Sequence, residues 1–99
     1  MKEKAIEQYT QLLKDGLPDL EESYHVKQLG VFGSAARGEM REKSDVDILV
    51  EFSEPIGMFK FIDLERRLSD ALSKKVDLVT KDALKPSTRE QILNEVIYV

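Results

Sequence analysis

The stretch Asp45-Val-Asp-Ile-Leu-Val-Glu-Phe52 constrains this chain more than any other. Its residues alternate. In an extended strand successive side chains point to opposite faces, so Val46, Ile48, Val50 and Phe52 share one face. Asp45, Asp47, Leu49 and Glu51 share the other. The first face asks for a buried core. The second opens with two carboxylates two residues apart, hence on one side. Aspartate is disfavoured in strands, so a pair inside an apolar strand breaks a local rule, and local rules tend to break at functional sites. Two ionised carboxylates a few ångströms apart repel unless a cation lies between them. Magnesium suits such a place, because it takes oxygen ligands and accepts phosphate oxygens as co-ligands.

The rest of the pattern builds layers around this strand. Ala5, Ile6, Tyr9, Leu12 and Leu13 recur at helical spacing and predict a helix over 3–14, stopped at Gly16. Pro18 predicts the start of a second short helix through Tyr24. Residues 26–32 read as a strand with Leu29 and Val31 on one face, and residues 33–44 as turns punctuated by Gly33, Gly38 and Ser44. After a loop at Pro55 and Gly57, Phe61, Leu64, Leu68, Ala71 and Leu72 mark an amphipathic helix over 58–73. A short strand spans 76–80, and a last helix, 87–97, is expected to bury Ile92, Leu93, Val96 and Ile97. The expectation is one α/β domain over residues 1–99, with a small mixed sheet of at least three strands flanked by helices.

Topology gathers the chemistry at one edge of that sheet. The short link between the first two strands favours an antiparallel pair, which brings Ser34 near Asp45. The helical crossover favours a third strand parallel to the second, which brings Asp77 beside Asp45 and Asp47. Gly33 has no side chain to hold a phosphate away from the backbone. Ser34 offers a hydroxyl and an amide, and Arg37 adds a fixed positive charge one turn later. Three carboxylates beside a phosphate cradle suggest two-metal phosphoryl chemistry.

Composition narrows the field further. Lysine and arginine total 15 against 19 aspartates and glutamates, a net charge of −4, which disfavours long nucleic acid as a partner. Apolar residues make up 41%, enough for a packed core, so disorder is not expected. There is no cysteine, which excludes thiol chemistry and fits the cytosol. The first residues, Met-Lys-Glu-Lys, do not read as a signal peptide, and the longest apolar run, Val96 to Val99, is far short of a membrane span. A cytoplasmic protein is expected.

Gly33-Ser34, ten residues, then Asp45-Val46-Asp47 resembles the G-S-x10-D-x-D signature of the DNA polymerase beta-like nucleotidyltransferase superfamily. The flanking text, Leu29-Gly-Val-Phe-Gly-Ser-Ala-Ala-Arg-Gly and Ser44-Asp-Val-Asp-Ile-Leu-Val, is similar to its minimal nucleotidyltransferase branch, and Val76-Asp77-Leu78-Val79 resembles the family's third-strand motif. The likeness extends over nearly the whole chain. It implies a nucleotidyltransferase fold and an antitoxin encoded beside a helical HEPN-type ribonuclease toxin. It also implies ATP-dependent, magnesium-dependent transfer of AMP to a tyrosine of that toxin. Asp45 and Asp47 would hold two magnesium ions, Asp77 would serve as third ligand or base, and Gly33 and Ser34 would cradle the triphosphate with Arg37 and Ser44. All three acidic positions are kept, which favours an active enzyme.

Other readings stay open: an antitoxin that only covers its partner, an antibiotic-modifying nucleotidyltransferase, and an RNA-tailing polymerase. The intact triad weighs against the first. The lack of a second domain weighs against the others, and the acidic charge also against the last. His25, the only histidine, reads as a structural or surface residue. Arg66-Arg67 and Lys74-Lys75 read as solvated helix faces and ends, and Met58, Phe59 and Phe61 as core, with contact to an adenine ring or a partner as the rival. The tail Val96-Ile-Tyr-Val99 is expected to cover the sheet or core, with a partner contact, in a homo- or hetero-oligomer, as the rival.

Overall fold

The computed structural model describes residues 2–99, with side-chain surroundings from Ala5 onward. Helix α1 (Lys2–Tyr24) runs unbroken where two helices are expected. Gly16 stays out of the left-handed region that would stop a helix, and Pro18 lies inside α1. An interior proline removes one hydrogen bond and costs about 3 kcal/mol. The stripe Leu13, Leu17, Leu20 and Tyr24 explains why the helix continues, because it faces the core on both sides of Pro18. Each buried leucine contributes roughly 1.5–3 kcal/mol, so the two leucines flanking the proline offset its defect. The helix ends at His25, whose left-handed φ of 57° turns the chain while its amide still bonds the Glu21 carbonyl.

Strand β1 (Val26–Phe32) then leads into a one-turn helix α2 (Gly33–Ala36), and strand β2 (Val46–Phe52) returns antiparallel to β1. Helix α3 (Met58–Leu72) crosses over to strand β3 (Val76–Thr80), which lies parallel to β2. Both orientations are those expected from the connection lengths. A 3-10 turn (Lys81–Ala83) and helix α4 (Pro86–Glu95) follow.

The tail departs from expectation. Helix α4 stops at Glu95 and buries none of its residues; Ile97–Tyr98 form a short strand β4, antiparallel to β1. The four-stranded order is β3-β2-β1-β4. Gly30 permits this pairing. A Cβ there would stand 2.5 Å from Val96 Cγ2 and 3.0 Å from Tyr98 Cδ1. The free edge of β1 offers hydrogen bonds that a longer α4 would leave unmade, and the Val99 amide donates one to the Leu29 carbonyl at 3.0 Å.

One face of the sheet carries the core. Leu29, Val31, Val46, Ile48, Val50, Val76 and Leu78 pack with Leu13, Leu20 and Tyr24 of α1 and Leu64, Leu68 and Leu72 of α3. The two helices are tied by the Tyr24 hydroxyl, which donates to Asp63 at 2.5 Å, and by Arg67, which sits over the Tyr24 ring at 5.7 Å. Arg67 is therefore part of the packing, whereas Arg66 only pairs with Asp63 along the helix. Phe61 meets Phe52 edge-on, but Met58 and Phe59 are exposed and not core. Helix α3 also seals the outer edge of β3: Ser69 Oγ accepts the Val76 amide at 3.0 Å and Glu65 accepts the Leu78 amide at 2.9 Å. No described helix is long and apolar enough to cross a membrane.

Candidate active site

The opposite face holds the acidic row. Register pairs Phe32 with Asp47 and Asp47 with Asp77, so the two aspartates are lateral neighbours on one face. Asp45, two residues before Asp47, falls on the same side. Asp47 is partly buried and Asp77 exposed. Burial first, then the charges of Asp77 and Asp45, push the Asp47 carboxyl above the usual carboxylate range; Arg37 pulls it back and Glu95 adds to the rise. Asp45 is turned toward Lys75, at 3.9 Å.

Gly33 closes this row from above. Its φ of +73° favours glycine, and a Cβ there would land 2.1 Å from Asp47 Oδ2. The residue is glycine for two reasons at once, conformation and the approach of a carboxylate. Ser34 is partly buried in α2, and its carbonyl accepts the Glu39 amide at 2.8 Å. The Ser44 hydroxyl accepts the Arg41 amide at 2.9 Å and closes the turn before β2.

Arg37 is not a free cation here. It pairs with Glu39 at 2.9 Å and with both carboxylate oxygens of Glu95 at 3.2 Å. These partners, Glu39 first, hold its guanidinium more firmly in the charged form. Glu95 Oε1 also accepts the Gly33 amide at 2.9 Å.

As donors, Asp45, Asp47 and Asp77 fit a hard cation: all are oxygen ligands on one face, and burial of Asp47, with the charges of Asp77 and Asp45 beside it, raises its carboxyl. Among the described residues no three carboxylate or imidazole side chains converge closely enough to hold one ion.

A family model described as a nucleotidyltransferase domain matches residues 12–99. The chain belongs to this family, in its minimal nucleotidyltransferase branch. The protein adenylyltransferase MntA of Thermococcus cleftensis is 45% identical over 95 residues, 96% of each chain. A solved structure described as a candidate minimal nucleotidyltransferase matches with a TM-score of 0.74 and 37% identity, covering 88% of this chain and 89% of that one. The solved toxin–antitoxin pair MntA–HpeT, in a mutant form, matches at 25% identity with a TM-score of 0.63, over 90% of this chain and 66% of that one.

The mixed sheet expected from the sequence is the fold of this nucleotidyltransferase. The structure brings Asp45, Asp47, Asp77, Gly33 and Arg37 to one edge. It leaves His25 away from that edge, at the start of β1 and 3.3 Å from Glu54. Sequence reasoning missed Glu95 and Gly30. Glu95 lies 62 residues from the amide that it accepts, in a helix with no local signal to mark it. Gly30 sits within the quoted motif text, but its use depends on β4, which the sequence reads as helix.

Proposed function

We propose that this nucleotidyltransferase transfers AMP from ATP to a tyrosine hydroxyl of a HEPN-type toxin encoded beside it, and so acts in the cytoplasm as that toxin's antitoxin. The single observation that carries the reading is the row of Asp45, Asp47 and Asp77 along one strand edge, with the Gly33 backbone against Asp47. The kinship to a relative named protein adenylyltransferase supports the choice of AMP and of a protein acceptor. The likeness to a toxin–antitoxin pair supports the choice of partner.

In this reading the acceptor oxygen attacks the α-phosphorus, the bond to the bridging oxygen breaks, and pyrophosphate leaves. The Gly33 amide and the Ser34 hydroxyl hold oxygens of the departing phosphates. Arg37 offsets their charge, and Ser44 fixes the turn that aims Asp45 and Asp47. Asp45 and Asp47 would hold two magnesium ions and Asp77 would complete the set. When bound, the ions neutralise the triphosphate and make the acceptor hydroxyl easier to deprotonate. Asp77, the most exposed of the three, can also take that proton directly. Such an open rim offers a small acceptor few walls, whereas a protein acceptor brings its own positioning surface.

The test is incubation of this protein, the product of the adjacent gene, magnesium and α-labelled ATP, followed by mass spectrometry of the partner. The expected result is an AMP adduct on a partner tyrosine, absent with Asp45→Asn and Asp77→Asn. A partner that binds tightly yet stays unmodified makes this protein a covering antitoxin instead.

A further inference from the structure

The carboxylate of Glu95 is held by two donors of this edge, the Gly33 amide and Arg37. One oxygen accepts the Gly33 amide at 2.9 Å, and both accept from Arg37 Nη1 at 3.2 Å. Its side chain is only 18% exposed against 43% for Arg37. A carboxylate has thus been drawn into an edge that already holds three others, and its charge works against Asp47. Two donors outweigh that repulsion, and both are groups with which a phosphate would bond. Glu95 is also the last residue of α4, and the chain turns at Val96 into a two-residue strand.

We propose that Glu95 is a built-in competitor for the nucleotide: its carboxylate stands in for a phosphate on the Gly33 amide and Arg37, and a bound nucleoside triphosphate displaces it and loosens residues 95–99. This rests on the reading of Gly33 and Arg37 as phosphate-holding groups. The consequence is a resting state in which phosphate-binding donors are satisfied internally. Nucleotide binding is weaker than the same donors would give if free, and nucleotide occupancy is transmitted to the C-terminal strand. The alternative is that Glu95 is a fixed strut that aligns Arg37, and it makes the opposite forecast for affinity.

The experiment titrates magnesium with tripolyphosphate, and magnesium with a non-hydrolysable ATP analogue, into the wild type, Glu95→Gln and Glu95→Asp by calorimetry. Glutamine keeps the shape and loses the charge. Aspartate keeps the charge and loses the reach. Both variants are expected to bind both probes about two- to fivefold more tightly, the scale of releasing one partly exposed ion pair. Hydrogen exchange adds a readout independent of affinity. Analogue binding should speed exchange of the Val99 amide in the wild type, and the variants should show that faster rate with no ligand. Wild-type binding with equal or weaker binding by both variants overturns the competitor and leaves the nucleotide reading standing. No binding of either probe by any of the three proteins overturns the nucleotide reading, and this inference with it.

Discussion

Replacing Asp47 by asparagine should stabilise the ion-free protein. Asp47 and Asp77 are register partners on adjacent parallel strands, which sets their backbones ~4.8 Å apart with side chains on one face. With carboxylates ~6 Å apart and an effective dielectric of ~60, between protein surface and bulk water, their repulsion is about 1 kcal/mol. Asp45, a further ~7 Å along the strand, adds a smaller repulsion, and the attraction of Arg37 removes a similar amount. The net is about 1 kcal/mol, or a rise of ~4–8 °C in Tm for a chain of ~100 residues. The assay is thermal unfolding followed by circular dichroism in EDTA. Its pH dependence shows whether the ionised form is responsible, since burial, the larger influence on Asp47, and the charges of Asp77 and Asp45 all act against the charged carboxylate alone. The folded carboxyl is raised, so the folded state binds the proton more tightly than the unfolded chain. The penalty is complete above the folded pKa and fades as pH falls to the unfolded value near ~3.9. The advantage of Asp47→Asn should therefore be full at pH 7 and shrink toward zero near pH ~3.5. A fall of several degrees at pH 7 would falsify the electrostatic account, since it would mean that the carboxylate accepts a bond that an amide cannot. A gain that does not change with pH would refute it equally.

Two further outcomes follow from the same edge. Nucleotide binding should need a divalent cation, because the triphosphate and three aspartates repel; equal ATP affinity in magnesium and in EDTA, by calorimetry, would remove the proposed site. Gly33→Ala should destabilise the fold by more than the ~1–2 kcal/mol of a left-handed alanine, because its methyl would also meet Asp47. A chemical denaturation midpoint unchanged from wild type would show that the backbone there relaxes freely.

Much of the candidate site was legible because it is encoded by alternation. Asp45 and Asp47 share a face by strand geometry alone, and Asp77 joins them once the crossover rule makes β3 parallel. What failed were positions where tertiary packing overrules local punctuation. Gly16 and Pro18 look like a break, yet the stripe from Leu13 to Tyr24 needs a straight helix against the core. Val96 and Ile97 continue a helical pattern, yet an open edge of β1 and the missing Cβ of Gly30 draw Ile97 and Tyr98 into a strand. The tie between Arg37 and Glu95 was not legible, because Glu95 comes from the far end of the chain, whereas Glu39, its other partner, is only two residues away.

The seal that α3 places on β3 has a consequence for how copies of this chain behave in a crowded solution. An unpaired strand edge is a template on which a second chain can build, the first step toward domain swapping and fibrils. Here two outward amides of β3 are already spoken for by Glu65 and Ser69. On the opposite side, β4 is only two residues long, too brief to seed an ordered stack. Both edges of the sheet are thus blunted against strand addition by a second copy.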